Sequence, residues 1–197
     1  GAFGLDCSDL KGKRLLNLDS EEEGVFTVSC AGGMRADCFL PGKRLPAASE
    51  DLGYKIEISG LQGGHSGGDI DKGRASANQL VGRVLYSAME HFPVLRLSAL
   101  QGGRFDNVIC SSCEAEILLP AEKANAFEKF VEDFAALLKN EYAASDAGVS
   151  LCCTRLQPQP ALSGEDTGRI LHVLLALPQG VEAMSMDFPG LVQTSLN

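Results

Sequence analysis

The sequence predicts an α/β fold of the α+β kind: a two-layer sandwich in which two helices cover one face of a four-stranded antiparallel sheet. Three observations predict it. Residues 53–59 (GYKIEIS) alternate apolar and polar, as a half-buried strand does. Two later segments repeat their apolar residues at three- and four-residue steps, one ending at Pro93 and one opening after Pro120. Between them lie two further β-type runs and a fourth follows the second segment, so residues 53–156 read β-α-β-β-α-β, the ferredoxin-like order.

In chain order, residues 13–19 (KRLLNLD) read as a short buried strand with Asp19 at its C-terminal end, followed by an acidic turn at 20–24. Residues 25–30 and 34–40 are β-rich runs separated by Gly32-Gly33, and residues 41–51 form a linker with two prolines. After the strand at 53–59 comes a glycine-dense loop, 60–68. A helix is expected over 73–91, with Leu80, Val81, Val84, Leu85 and Ala88 on one stripe and Pro93 stopping it. Residues 94–100 form the second strand, with Leu95, Leu97 and Ala99 facing inward. Residues 107–119 form the third, and Pro120 opens the next helix. That helix runs to about Tyr142 and buries Phe127, Phe130, Val131, Phe134, Leu137 and Leu138. A fourth strand covers 148–156. Ser163 caps a last helix with Glu165 and Asp166 in its first turn, and short strands at 181–186 and 191–196 close the chain.

Composition narrows the function. The 197 residues suit one domain, or one domain with fragments of another. At this size a globule buries roughly 70% of its unfolded surface and needs no disulfide to hold a core. The net charge of −9, with no basic stripe, argues against nucleic-acid binding. No apolar stretch approaches the ~20 residues of a membrane span, and residues 1–30 lack the pattern of a signal peptide. Seven cysteines without a paired spacing read as cytosolic thiols. The first residue is Gly rather than Met, which reads as a piece of a longer protein.

Among chemistry-bearing residues, His65 stands out because Gly63, Gly64, Gly67 and Gly68 surround it between a strand and a helix. Glycines there permit tight turns and close approach, so the histidine is either incidental to a flexible loop or presented to a ligand or another subunit. The loop lacks the Lys-Ser/Thr of a phosphate loop. Asp19 alone is not a metal site, because zinc takes three or four ligands. Cys110 and Cys113 resemble half a zinc motif, but in a strand they point to opposite faces, as Cys152 and Cys153 do. His91 and His172 lie on predicted helices and read as structural. Asn107 follows a Gly-Gly turn and reads as a turn residue.

Residues 15–33 (LLNLDSEEEGVFTVSCAGG), 60–74 (GLQGGHSGGDIDKGR) and 184–197 (MSMDFPGLVQTSLN) together resemble the aminoacyl-histidine dipeptidases, within the di-zinc aminoacylases and carboxypeptidases. The resemblance runs over essentially the whole chain. It implies a catalytic domain holding two zinc ions and an inserted lid that forms a homodimer. By that likeness Asp19 is a zinc ligand. His65 reaches into the partner's site to stabilise the oxyanion of a dipeptide substrate, and Asn107 helps bind the substrate. The likeness divides the chain into the end of a first catalytic segment (1–32), a lid and dimerisation domain (33–190) and the start of a return strand (191–197). The remaining zinc ligands and the catalytic Glu would lie outside the chain. The expectation is therefore the lid of a cytoplasmic zinc dipeptidase acting on Xaa-His dipeptides, inactive by itself. The alternative from another class is a stand-alone interaction or ligand-binding module without metal chemistry.

Overall fold

The computed structural model describes residues 6–14, 16, 23–26 and 32–197. The chain divides into two compact units, Gly1–Asp37 and Cys38–Asn197. Among the described residues of the first there is no helix or strand; its contacts include Ser8 N donating to Asp6 Oδ1 (2.9 Å) and Arg35 pairing with Asp37 (3.1 Å). Apart from Lys13, Arg14 and Leu16, the strand expected at 13–19 lies outside the described residues, Asp19 included. The run at 27–30 does too. The strand expected at 34–40 is not formed. An extended run becomes a strand only when its backbone pairs, and here Met34 and Phe39 are almost fully exposed, with no neighbouring strand among the described residues.

In the second unit a four-stranded antiparallel sheet carries the core. Its strands are β2 (Asp51–Ser59), β3 (Arg96–Gly102), β4 (Cys113–Pro120) and β5 (Ser150–Leu156), in the order β3-β4-β2-β5. Helices α1 (Ala77–His91) and α2 (Ala124–Glu141) connect them, giving the predicted β-α-β-β-α-β order. The alternation in β2 works as read. Tyr54, Ile56 and Ile58 are buried under the helices, while Lys55 and Glu57 stay on the open face, where Lys55 also pairs with Glu114 of β4 (3.1 Å). The inner face meets Leu80, Val81, Val84, Leu85 and Ala88 of α1 and Phe127, Val131 and Leu138 of α2. Phe127 is the hub of an aromatic cluster, with ring centroids 5.3 Å from Tyr54 and 5.7 Å from Phe92.

Several boundaries and faces depart from expectation for local reasons. Leu137 of α2 is about half exposed, because ten residues beyond Phe127 the helix has turned it roughly 80° off the buried stripe. A bulge between Leu97 and Ala99 shifts β3, so Ser98 is buried and Ala99 faces solvent. The expected linker at 41–51 holds a short strand, β1 (Arg44–Leu45), paired with β6 (Ala161–Leu162). The third sheet strand starts at Cys113 rather than Asn107. Pro120 ends it, and a 3-10 turn at Ala121–Lys123 precedes α2.

α3 (Gly164–Ala176) begins as predicted, with Ser163 Oγ accepting from Asp166 N (3.1 Å). Its Thr167 closes the outer edge of β3 by accepting from Leu97 N (3.0 Å). Arg44 completes that closure by donating to Ser98 O (2.6 Å). β7 (Gly180–Met184) and β8 (Val192–Leu196) pair as an antiparallel hairpin. No helix among the described residues is long and apolar enough to cross a membrane.

Candidate functional site at the glycine loop

The loop between β2 and α1 is ordered by its own polar groups. Asp69 Oδ2 accepts from His65 N (2.8 Å), and Asp69 N donates back to His65 O (2.8 Å). Lys72 and Arg74 both reach the same carboxylate, Arg74 at 3.4 Å. The Lys72 hydrogen bond first and then the His65 amide hold the Asp69 carboxyl below its usual range; burial opposes them, and the fields of Arg74 and Lys72 add to the lowering. Arg74 Nη1 also donates to Gly63 O (2.6 Å). Gly64 favours glycine here: its φ is +131°, and a Cβ would run into Arg74 Nη1 and come within 2.6 Å of Asp69 Oδ2.

The His65 side chain is exposed, but its ring is held. Gly67 N and Gly68 N donate to Nδ1 at 3.0 and 3.2 Å. Two amide donors aimed at Nδ1 require its lone pair, so the neutral ring carries its proton on Nε2, away from the loop. A histidine fixed this way presents one N–H donor outward.

The structure brings His65 and Asn107 together. His65 bridges Val108 in antiparallel fashion, Ser66 N donates to Asn107 O (3.0 Å), and Ile109 N donates to Gly64 O (2.9 Å). Cys110 O takes the amide of Ala77 at the start of α1 (2.8 Å). These bonds explain why the third strand begins late: the backbone of residues 107–110 is committed to the glycine loop and the helix start instead of to the sheet. Asn107 itself sits exposed in the turn, and Asn197 Nδ2 steadies that turn by donating to Val108 O (3.1 Å). Beside it, an open pocket of about 600 Å³ follows the β3–β4 connection, lined by Gly102, Arg104, Val108, Ser111 and Glu114. This volume is in the range of small-molecule sites.

The remaining sequence candidates fall elsewhere. Cys110 and Cys113 are both buried, because the first lies before the strand rather than in it. Burial and the neighbouring Cys110 push the Cys113 thiol up to about 12. Cys152 is exposed and Cys153 half-buried, on opposite faces of β5. His91 Nδ1 lies 2.9 Å from Ser87 O, and the His172 ring packs edge-on against Tyr86. Among the described residues no three His, Cys, Asp or Glu side chains are placed to hold a metal ion.

Sequence reasoning passed over Asp69, Arg74 and Asp146, the residues that shape the loop. Asp69 and Arg74 lie within its motif, but Asp146 is distant, in the turn before β5. It carries no signal beyond a turn-forming neighbourhood.

Residues 56–146 match the family model described as the peptidase dimerisation domain. All of this chain aligns at 36% identity with 41% of the cytosol non-specific dipeptidase of Escherichia coli. The crystal structure of aminoacylhistidine dipeptidase from Vibrio alginolyticus superposes with a TM-score of 0.77 at 30% identity, over 99% of this chain and 40% of that one. The chain thus spans about two fifths of the length of these relatives. Over residues 56–146 it is similar to peptidase dimerisation domains, and along essentially its whole length it is similar to these two dipeptidases.

Proposed function

We propose that this chain is the lid and dimerisation part of a cytoplasmic, zinc-dependent dipeptidase that hydrolyses Xaa-His dipeptides. In this reading residues 1–32 and 191–197 belong to the catalytic domain and residues 33–190 to the lid. The observation that carries the proposal is the outward Nε2–H of His65, fixed by two amides on Nδ1 and set beside Asn107.

A peptide carbonyl under attack gains negative charge on its oxygen. A donor held in place before the reaction stabilises that charge without reorganising. His65 supplies the donor across the dimer, in the partner's site, and the Asn107 amide binds the same substrate. Zinc would supply the activated water. The described residues by themselves do not fit a zinc ion, and Asp19, the proposed ligand, lies outside them.

The homodimer has a free sheet edge to use. β3 is closed by Thr167 and Arg44, whereas β5 has no strand on its outer side among the described residues. The name of the curated relative supports the cytosolic location and dipeptide substrates.

The test is His65→Ala in the full-length protein that carries this chain. Loss of one oxyanion donor lowers kcat about 10²–10³-fold, with KM changing much less. A kcat within twofold of the unsubstituted enzyme overturns the role of His65, and no hydrolysis of an Xaa-His dipeptide by the unsubstituted protein overturns the dipeptidase reading.

A further inference from the structure

We infer that Asp146 is the positioning residue for His65, acting from a turn 81 residues further along the chain. Its side chain is fully buried in the turn between α2 and β5. One carboxylate oxygen accepts from Gln62 N (2.8 Å) and the other from Ala75 N (2.9 Å). Gln62 and Ala75 are the two ends of the glycine loop, so a single carboxylate ties both feet of the segment that presents His65.

Two contacts make the clamp rigid. Gln62 Nε2 donates to Ser145 O in the same turn. Gly60, with φ +77°, is pressed against Gly148 O, where a Cβ would collide. The turn holds Asp146 in turn: Asp146 N donates to Tyr142 O (2.8 Å), and Asp146 O accepts from Val149 N (2.9 Å). A buried carboxylate is retained only where its hydrogen bonds are met, and here both partners are loop amides. The side-chain hydrogen bonds of Asp146 go to Gln62 and Ala75 and not to His65 itself. It fixes where the loop starts and ends, and Asp69 shapes what lies between. The catalytic meaning of this positioning rests on the proposed role of His65.

The test is site-resolved amide hydrogen exchange on this chain and on Asp146→Asn, in which an NH₂ group faces an amide donor. In the unsubstituted chain, Gln62 and Ala75 exchange at least tenfold slower than Arg104 and Phe105 in the exposed β3–β4 turn. In Asp146→Asn, the amides of Gln62, His65 and Ala75 speed up at least tenfold while those of Ile56 and Ile117 stay within threefold. The ¹⁵N resonance of His65 Nδ1 also moves as its Gly67 and Gly68 donors loosen. Uniform acceleration across loop and sheet makes Asp146 a general stability residue and overturns the inference. If the variant does not fold, fast exchange at Gln62 or Ala75 in the unsubstituted chain overturns it, and slow exchange at both supports it. None of these readouts involves hydrolysis. An active His65→Ala enzyme therefore sinks the oxyanion role of His65 and leaves the clamp standing.

Discussion

Gly64→Ala, paired with Gly68→Ala as its control, asks whether the glycine run is flexible or built. At Gly64 the backbone has φ +131°, a region where an L-residue costs about 1–3 kcal/mol. The added methyl would also enter the space of Arg74 Nη1 and lie 2.6 Å from Asp69 Oδ2. Arg74 would have to withdraw from Gly63 O, a bond to a charged donor of a class worth about 1.5–3 kcal/mol. Arg74 and Asp69 keep about a fifth of their side-chain surface in solvent, which puts that loss at the lower end. The combined penalty is therefore about 3 kcal/mol. At Gly68 there is no positive φ, and an added methyl would meet no atom within 4 Å, so alanine there changes stability by less than about 0.5 kcal/mol. Urea unfolding of the two variants at equal concentration measures the difference directly. Equal stability losses would mean that the loop is a passive tether, and the account of its internal order would fail.

Four further outcomes are expected. Phe127→Ala, at a fully buried position in the aromatic cluster, costs about 3–5 kcal/mol, read as a lowered urea midpoint. Asp69 has its folded-state pKa held below the ordinary 3.8, so its contribution to loop order is fully present above that value. It is lost as pH falls through the lowered folded value. An acid titration followed at the His65 resonances should show this loss, and Asp69→Asn should abolish it. Finally, the chain with added zinc should hydrolyse no β-Ala-His substrate, and light scattering should give about twice the 20.8 kDa chain mass. Measurable hydrolysis contradicts the first statement, and a strictly monomeric mass at high concentration contradicts the second.

Some features follow from the sequence alone because they depend on neighbours in the chain. The period-two pattern of Tyr54, Ile56 and Ile58 needs only a sheet with one covered face, and the α1 stripe needs only a helix lying on it. The Ser163 cap is complete within four residues. These local rules were enough to yield the β-α-β-β-α-β order, and the order limits the sheet to very few topologies. The GGHSGG run identified the candidate site for a similar reason, since close approach and tight turning are properties of glycine itself.

What the chain alone leaves open depends on residues far apart in sequence. The bulge at Ser98 and the late start of β4 arise because backbone groups found partners on β1, α3 and the glycine loop. No local pattern encodes those partners. The 34–40 run has strand composition but no strand to join among the described residues. His65 gained an assigned proton and a fixed direction only when Gly67, Gly68 and Asp69 closed around it. Asp146, 81 residues away, became part of that site only through folding. A buried carboxylate is identified by the amides it satisfies, and those amides converge only in three dimensions.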